Sequence, residues 1–206
     1  MLNNRYFHEV STTPVTMGKV VAVCGMPGSG KGEFAKIIAN QDVPVRSMGD
    51  MVRAEVSLRG LDPSPNIFGE VAADLRAIHG EEVLAVRLAD EVDSLLLTHA
   101  VVLIEGMRGT AEFEIFSNRW QVDFSSMAIV ASKDIRFTRT QSRGRSEDGD
   151  YSQFEIREKR EAGWGLIDLI NTADFTIKNE SSLEDLTYQS QSWLSGLQKN
   201  DFGTLI

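Results

Sequence analysis

The stretch GMPGSGKGE, Gly25 to Glu33, places four glycines and one lysine directly behind the apolar run Val20-Val21-Ala22-Val23-Cys24. So many glycines past a buried strand prepare a backbone path that side chains would obstruct. The spacing from Gly25 to Gly30-Lys31 is that of a phosphate-binding loop. In such a loop, successive backbone N–H groups turn inward and the following helix presents its N-terminal partial positive charge. Gly25, Met26, Pro27, Gly28, Ser29, Gly30, Lys31 and Gly32 are therefore expected to cradle the phosphates, with Lys31 as a mobile charge on the outer ones. Gly32 stands where a Ser or Thr usually follows the lysine.

Strands and helices alternate outward from this loop. Lys19–Cys24, Val43–Ser47, Ala100–Ile104, Ser126–Ala131 and Asp174–Lys178 read as strands, apolar enough to be covered on both faces. Helices are expected over Lys31–Asn40, from Ser47 through Ala54, along a long amphipathic stretch marked by Leu84, Leu88, Val92, Leu95 and Leu96, and near Ala111–Asn118. Further helices are expected over Ile135–Gln141, Gln153–Glu161 and Leu183–Leu197. This order predicts an α/β fold of three layers, α/β/α, around a five-stranded parallel sheet. Residues 1–17 lack hydrophobic periodicity and read as a loose extension, with Met17 as an alternative start; 18–206 read as one domain.

Composition narrows the function classes. The 206 residues are 42% hydrophobic and 25% charged, as expected for one ordinary globular domain. No apolar run has the length of a membrane span, no N-terminal signal pattern is visible, and Cys24 is the single cysteine, so a reducing, cytoplasmic setting is expected. A net charge of −9 disfavours direct nucleic-acid binding. Against that background Arg136, Arg139, Arg143, Arg145, Arg157 and Arg160 fall within 25 residues, a local cationic cluster suited to a small polyphosphate. His8, His79 and His99 are scattered without metal-ligand spacing, and Trp164 is read as packing a helix junction.

Four motifs in order, GMPGSGKGE, MGDMVR, IEGMR and RGR-x-x-D, resemble those of adenylate kinase and its nucleoside-monophosphate kinase relatives. More narrowly, they resemble an archaeal group of adenylate-kinase-related P-loop proteins, itself related to dephospho-coenzyme A kinases. The resemblance runs from about Lys19 to about Leu197 and implies a P-loop NTPase fold with a small acceptor-binding helical insertion, about 47–80, and a short lid, about 139–160. It implies ATP and Mg²⁺ as cofactors. SMGDMVRAE, Ser47 to Glu55, matches the acceptor segment, which puts Asp50 and Arg53 on the acceptor phosphate. VVLIEGMRG, Val101 to Gly109, matches the strand-end segment, with Glu105 organising the metal through water and Arg108 as a second acceptor arginine. In the lid, Arg139 is implied on the donor base, Arg143 and Arg145 on the transferring phosphoryl group, and Arg157 or Arg160 at the far end.

Departures from the pattern matter as much. Glu33 replaces the family's threonine and either turns away or works on the Mg²⁺ side through water. Met48 also replaces a threonine, and the proline of the strand-end motif is missing. Glu112 falls where the family reads the acceptor base; it is either that reader, suited to guanine more than adenine, or a first-turn helix residue. Three functions stay open: a small-molecule kinase acting on a nucleoside monophosphate or similar phosphate-bearing acceptor, an ATP-hydrolysing switch on a protein or ribonucleoprotein partner, and a dephospho-coenzyme A kinase-like enzyme.

Overall fold

The computed structural model describes residues 18–145 and 148–200. The expected loose extension at 1–17, and Ser146 and Glu147 of the expected lid, lie outside them. Five parallel strands form one sheet: β1 (Lys19–Cys24), β2 (Val45–Ser47), β3 (Val101–Glu105), β4 (Phe124–Val130) and β5 (Phe175–Lys178), in the order β2-β3-β1-β4-β5. The fold is that expected from the alternation. β1 is central, pairing with β3 from Lys19↔Val101 to Val23↔Glu105 and with β4 from Val20↔Phe124 to Cys24↔Ala128.

The period of two along β1 divides the core. Val20, Ala22 and Cys24 face one layer, built by α2 (Met48–Leu58), α3 (Pro65–His79), α4 (Val83–Leu96), α5 (Thr110–Trp120) and α8 (Leu166–Asn171). Val21 and Val23 face the other, where α1 (Lys31–Ala39) contributes Phe34, Ala35 and Ile38, and α9 (Leu183–Asn200) contributes Leu186 and Leu194. All five residues Val20–Cys24 are fully buried, as a central strand covered on both faces must be. The remaining helices, α6 (Lys133–Arg143) and α7 (Tyr151–Gly163), follow β4 and border the carboxyl ends of the strands.

Several boundaries differ from expectation, each for a local reason. β2 begins at Val45, because Pro44 has no N–H to give a ladder and offers only its carbonyl, to Leu103 N–H at 2.9 Å. α2 runs past Ala54 to Leu58, supported by an Arg59–Glu55 pair at 2.8 Å, and ends before Gly60. The amphipathic stretch from Leu84 to Leu96 is α4, and α3 precedes it across Gly80, whose φ is 100°. α8 was not expected; Gly165, at φ 91°, breaks it from α7.

Candidate functional site

The loop between β1 and α1 takes its shape from its glycines. Gly25, Gly28 and Gly30 have φ of 146°, 80° and 104°, a region L side chains rarely adopt. A methyl group at Gly28 would also collide with the Arg136 carbonyl oxygen, and one at Gly30 with the Asn179 amide. Asn179, just past β5, donates Nδ2 to the Ser29 carbonyl at 2.9 Å and so pins the loop from the end of the edge strand. α1 starts at Lys31, so its first amide groups, which have no partner within the helix, open toward the loop. Gly28→Ala is expected to lose at least about 1–2 kcal/mol from the left-handed backbone alone. The collision adds to this, and a lower urea midpoint together with weaker ATP binding is the expected reading.

Lys31 is buried and donates Nζ to the carbonyl oxygens of Gly25, at 2.5 Å, and Met26, at 3.1 Å. Burial pushes its ammonium down to about 8, against the opposing pull of Glu161 and Glu105. Glu33 pairs with Lys36 at 2.9 Å, and both residues line the cleft. Gly32 leaves space: the nearest neighbour of an added Cβ would be Arg145 Nη2 at 4.0 Å, which places Arg145 across the loop. Cys24 is buried, and its thiol is pushed up to about 11 by that burial, as expected of a small core residue.

Facing the loop, Ser47 ends β2 and caps α2. Its oxygen accepts the Asp50 N–H at 3.3 Å, and its hydroxyl donates to Glu105 Oε2 at 2.9 Å. Arg53, one turn along α2, pairs with Asp50 (Nη2 to Oδ1, 2.5 Å). Arg108 is largely buried with Nε 3.4 Å from Glu161 Oε1, and Arg157 Nε donates to the same oxygen at 2.9 Å. Burial alone would raise the Glu161 carboxyl; Arg108, Arg157 and Lys31 override it and hold it at about 2.

α6 and α7 bring further arginines to the site. Arg143 holds Asp148 in a two-bond fork at 2.6 and 2.5 Å, with Arg157 Nη1 3.5 Å from the same carboxylate. Arg139 donates to the Asn179 carbonyl at 2.9 Å and to its Oδ1 at 3.3 Å, so one asparagine ties this helix to the loop. Arg136 leaves the cationic cluster: it pairs with Glu158 and donates to the Pro27 and Ala131 carbonyls, at 3.2 and 3.0 Å, which makes it a brace beneath the loop.

These groups converge on a cleft of about 810 Å³ at the carboxyl ends of β1 and β3. Pro27, Gly28, Gly30, Lys31, Gly32, Asp50, Arg53, Glu105, Arg108, Arg139, Arg143 and Arg145 all line it, as does Arg157. That is within the size range of small-molecule and cofactor pockets, at the place where α/β sheets bind ligands. Glu112 does not line it, and this corrects the expectation that it could read an acceptor base. Its Oε1 accepts from Arg76 at 2.7 Å, and its Oε2 accepts from the backbone N–H groups of Arg108 and Gly109 at 2.7 and 3.0 Å. Nor is it solvated; it is fully buried. Asn179, Glu161 and Arg76 were not singled out in the sequence, and Asp148 entered only as the acid of RGR-x-x-D.

A family model described as an AAA domain matches residues 24–157. The UPF0200 protein of Methanosarcina barkeri is 39% identical over 167 residues, covering 81% of this chain and 89% of its own length. The chain belongs to the UPF0200 family. The UPF0200/UPF0201 protein of Archaeoglobus fulgidus is 38% identical over 183 residues, which is 88% of this UPF0200 chain but 57% of that protein. Among solved structures, shikimate kinase from Acinetobacter baumannii in complex with shikimate superposes with a TM-score of 0.56 at 13% identity, covering 90% of this chain and 96% of that one. That likeness is one of fold. The UPF0200 chain thus has a P-loop, kinase-like fold, and the matched residues run from the strand before the loop to Arg157. Among the described residues no helix is long and apolar enough to cross a membrane.

Proposed function

We propose that this protein is an ATP-dependent small-molecule kinase that transfers a phosphoryl group to a nucleoside monophosphate or a similar phosphate-bearing acceptor. The observation that carries this reading is the set of arginines that share one cleft with the loop and Lys31: Arg53 of α2, Arg108 after β3, Arg143 of α6, Arg145 just beyond it and Arg157 of α7. Phosphoryl transfer spreads charge over three oxygens, and catalysis is mostly positioning plus neutralisation of that charge. Guanidinium forks match phosphate oxygens with paired bonds, and a lone ATP-binding switch would not need so many of them beyond the loop.

The oxygen donors present also suit magnesium. Glu105 ends a buried strand with Ser47 beside it, and Mg²⁺ holds most of its shell as water and phosphate oxygens. Glu105 would hold the ion through water, and the bound ion would supply neutralisation of the outer phosphates. Gly32 brings no hydroxyl to this shell and Glu33 is paired with Lys36, which favours the ATP-hydrolysing switch as a second reading. A coupled assay across monophosphate acceptors separates the two.

Arg53→Ala is expected to weaken binding of the acceptor by about ten- to a hundredfold while ATP affinity stays within about twofold. Calorimetric titration of AMP and ATP separately into the variant checks this. A loss confined to ATP would refute the assignment of Arg53 to the acceptor.

A further inference from the structure

A second cavity, of about 50 Å³, opens beside the main cleft between α2, α3 and the junction of α7 with α8. Arg53, Arg108 and Arg157 line both, and Phe68, Arg160 and Trp164 wall the smaller one. Most of the positive charge around it is already met. Arg53 has Asp50, Arg76 has Glu112, and Arg108 and Arg157 share Glu161. Arg160 differs. Among the described residues it makes no ion pair, and its Nε is buried without a hydrogen-bond acceptor. Its guanidinium lies 6.0 Å from the Trp164 ring and packs so closely on Gly69 that any side chain there would collide with it. Burial depresses its pKa against the pull of Glu161, and Arg157, Arg108 and Arg76 push it down as well. A partly buried cation whose nearby carboxylate is already shared by Arg108 and Arg157 gains from a further anion.

Size decides which anion. A water-sized probe needs roughly 10–15 Å³ by this measure. About 50 Å³ therefore takes the few heavy atoms of a carboxylate or phosphate and not a purine ring. The cavity shares Arg53, Arg108 and Arg157 with the main cleft, and the rings of Phe68 and Trp164 supply no competing acceptor. Glu161 Oε2, buried without a donor, would accept the hydroxyl of a group bound there.

We propose that this side cavity anchors a small oxyanion carried by the acceptor, with Arg160 as the specificity-determining residue. The proposal rests on the kinase reading and assigns the acceptor's oxyanion, and not a nucleobase, to the space beside Arg160. The test follows the indole N–H of Trp164 by NMR, assigned through Trp164→Phe, in protein saturated with ADP. Inorganic phosphate and acetate are titrated separately, and the one acting at lower concentration identifies the oxyanion. The Trp164 signal is expected to shift saturably, and Arg160→Gln to raise the apparent Kd at least about tenfold, with Arg160→Lys recovering part of the loss. Melting temperatures of both variants separate a lost contact from a lost fold. An unshifted Trp164 signal, or an equal response in folded Arg160→Gln, would overturn the proposal. So would AMP moving Trp164 more strongly than phosphate and independently of Arg160. ADP binding, measured by calorimetry on the same samples, tests the kinase reading on its own.

Discussion

Lys31→Ala is expected to weaken ATP binding by roughly ten- to a hundredfold and to lower any phosphoryl transfer by a further 10²–10³, on the order of what one preorganised charge contributes. The loop carbonyls of Gly25 and Met26 now hold the ammonium in place, so it is positioned before any ligand arrives. Its removal should not cost stability. A lysine whose pKa falls to about 8 is one whose charge the folded state tolerates poorly, so alanine relieves a buried cation at neutral pH. Calorimetry at pH 7 and a thermal melt check the two halves. Unchanged ATP affinity would remove the basis for reading Gly25–Gly32 as a phosphate loop.

The same lysine fixes a pH dependence with two opposite signs. Its folded pKa of about 8 lies below the ordinary value of 10.5, so the unfolded chain binds the extra proton between them. The contribution of Lys31 to stability therefore rises with pH across that window. Phosphate binding needs the protonated form, so ATP affinity should fall as pH rises through 8. Glu161 acts at the other end: its carboxyl is held at about 2 against an ordinary 4.5. The stability it contributes is full above 4.5 and is lost as pH falls toward 2. Titrating affinity and urea midpoint together from pH 7 to 10 should show the Lys31 curves diverging.

What the sequence made legible follows from range. The phosphate loop is a local signal, because glycine spacing dictates backbone dihedrals without help from distant residues, and Gly25, Gly28 and Gly30 adopt the conformations that spacing demands. Alternating apolar runs gave the strand and helix order for the same reason, and β1 divides the two faces of the core by its own period of two. Partners of charged groups were not legible. Arg143 meets Asp148, five residues on, but Arg108 meets Glu161 and Arg139 meets Asn179 across 53 and 40 residues of chain. No period encodes such pairings; they exist only once the sheet has brought α5, α6, α7 and the end of β5 to one edge. Arg136 shows the consequence, since its place in a basic run suggested a ligand contact and its burial made it a brace.

Glu112 carries the second large expected effect. Its side chain is almost wholly buried opposite Arg76, which is buried equally and stacks 4.1 Å over the Trp164 ring. The pair joins α3 to α5 and to the turn before α8, and the second carboxylate oxygen closes the N-terminus of α5 through two backbone N–H groups. Removing one partner of a buried, hydrogen-bonded ion pair leaves the other charge without compensation, a cost of about 3–5 kcal/mol. That is a large fraction of the stability of a typical domain. Glu112→Ala is thus expected to lower the urea midpoint by on the order of 2 M. Glu112→Gln, which keeps one acceptor oxygen but not the charge, should lose less. Replacing both partners, Arg76→Met with Glu112→Leu, should recover much of the loss, because no unpaired charge then remains in the core. A base-reading role makes the contrary forecast: a fold unaffected by Glu112→Gln and a changed preference between AMP and GMP. The two outcomes do not overlap. A folded Glu112→Ala protein with its wild-type midpoint would mean that the buried pair contributes nothing. A lowered midpoint with unaltered base preference would place Glu112 in the frame that holds Arg108, one residue behind the cleft wall.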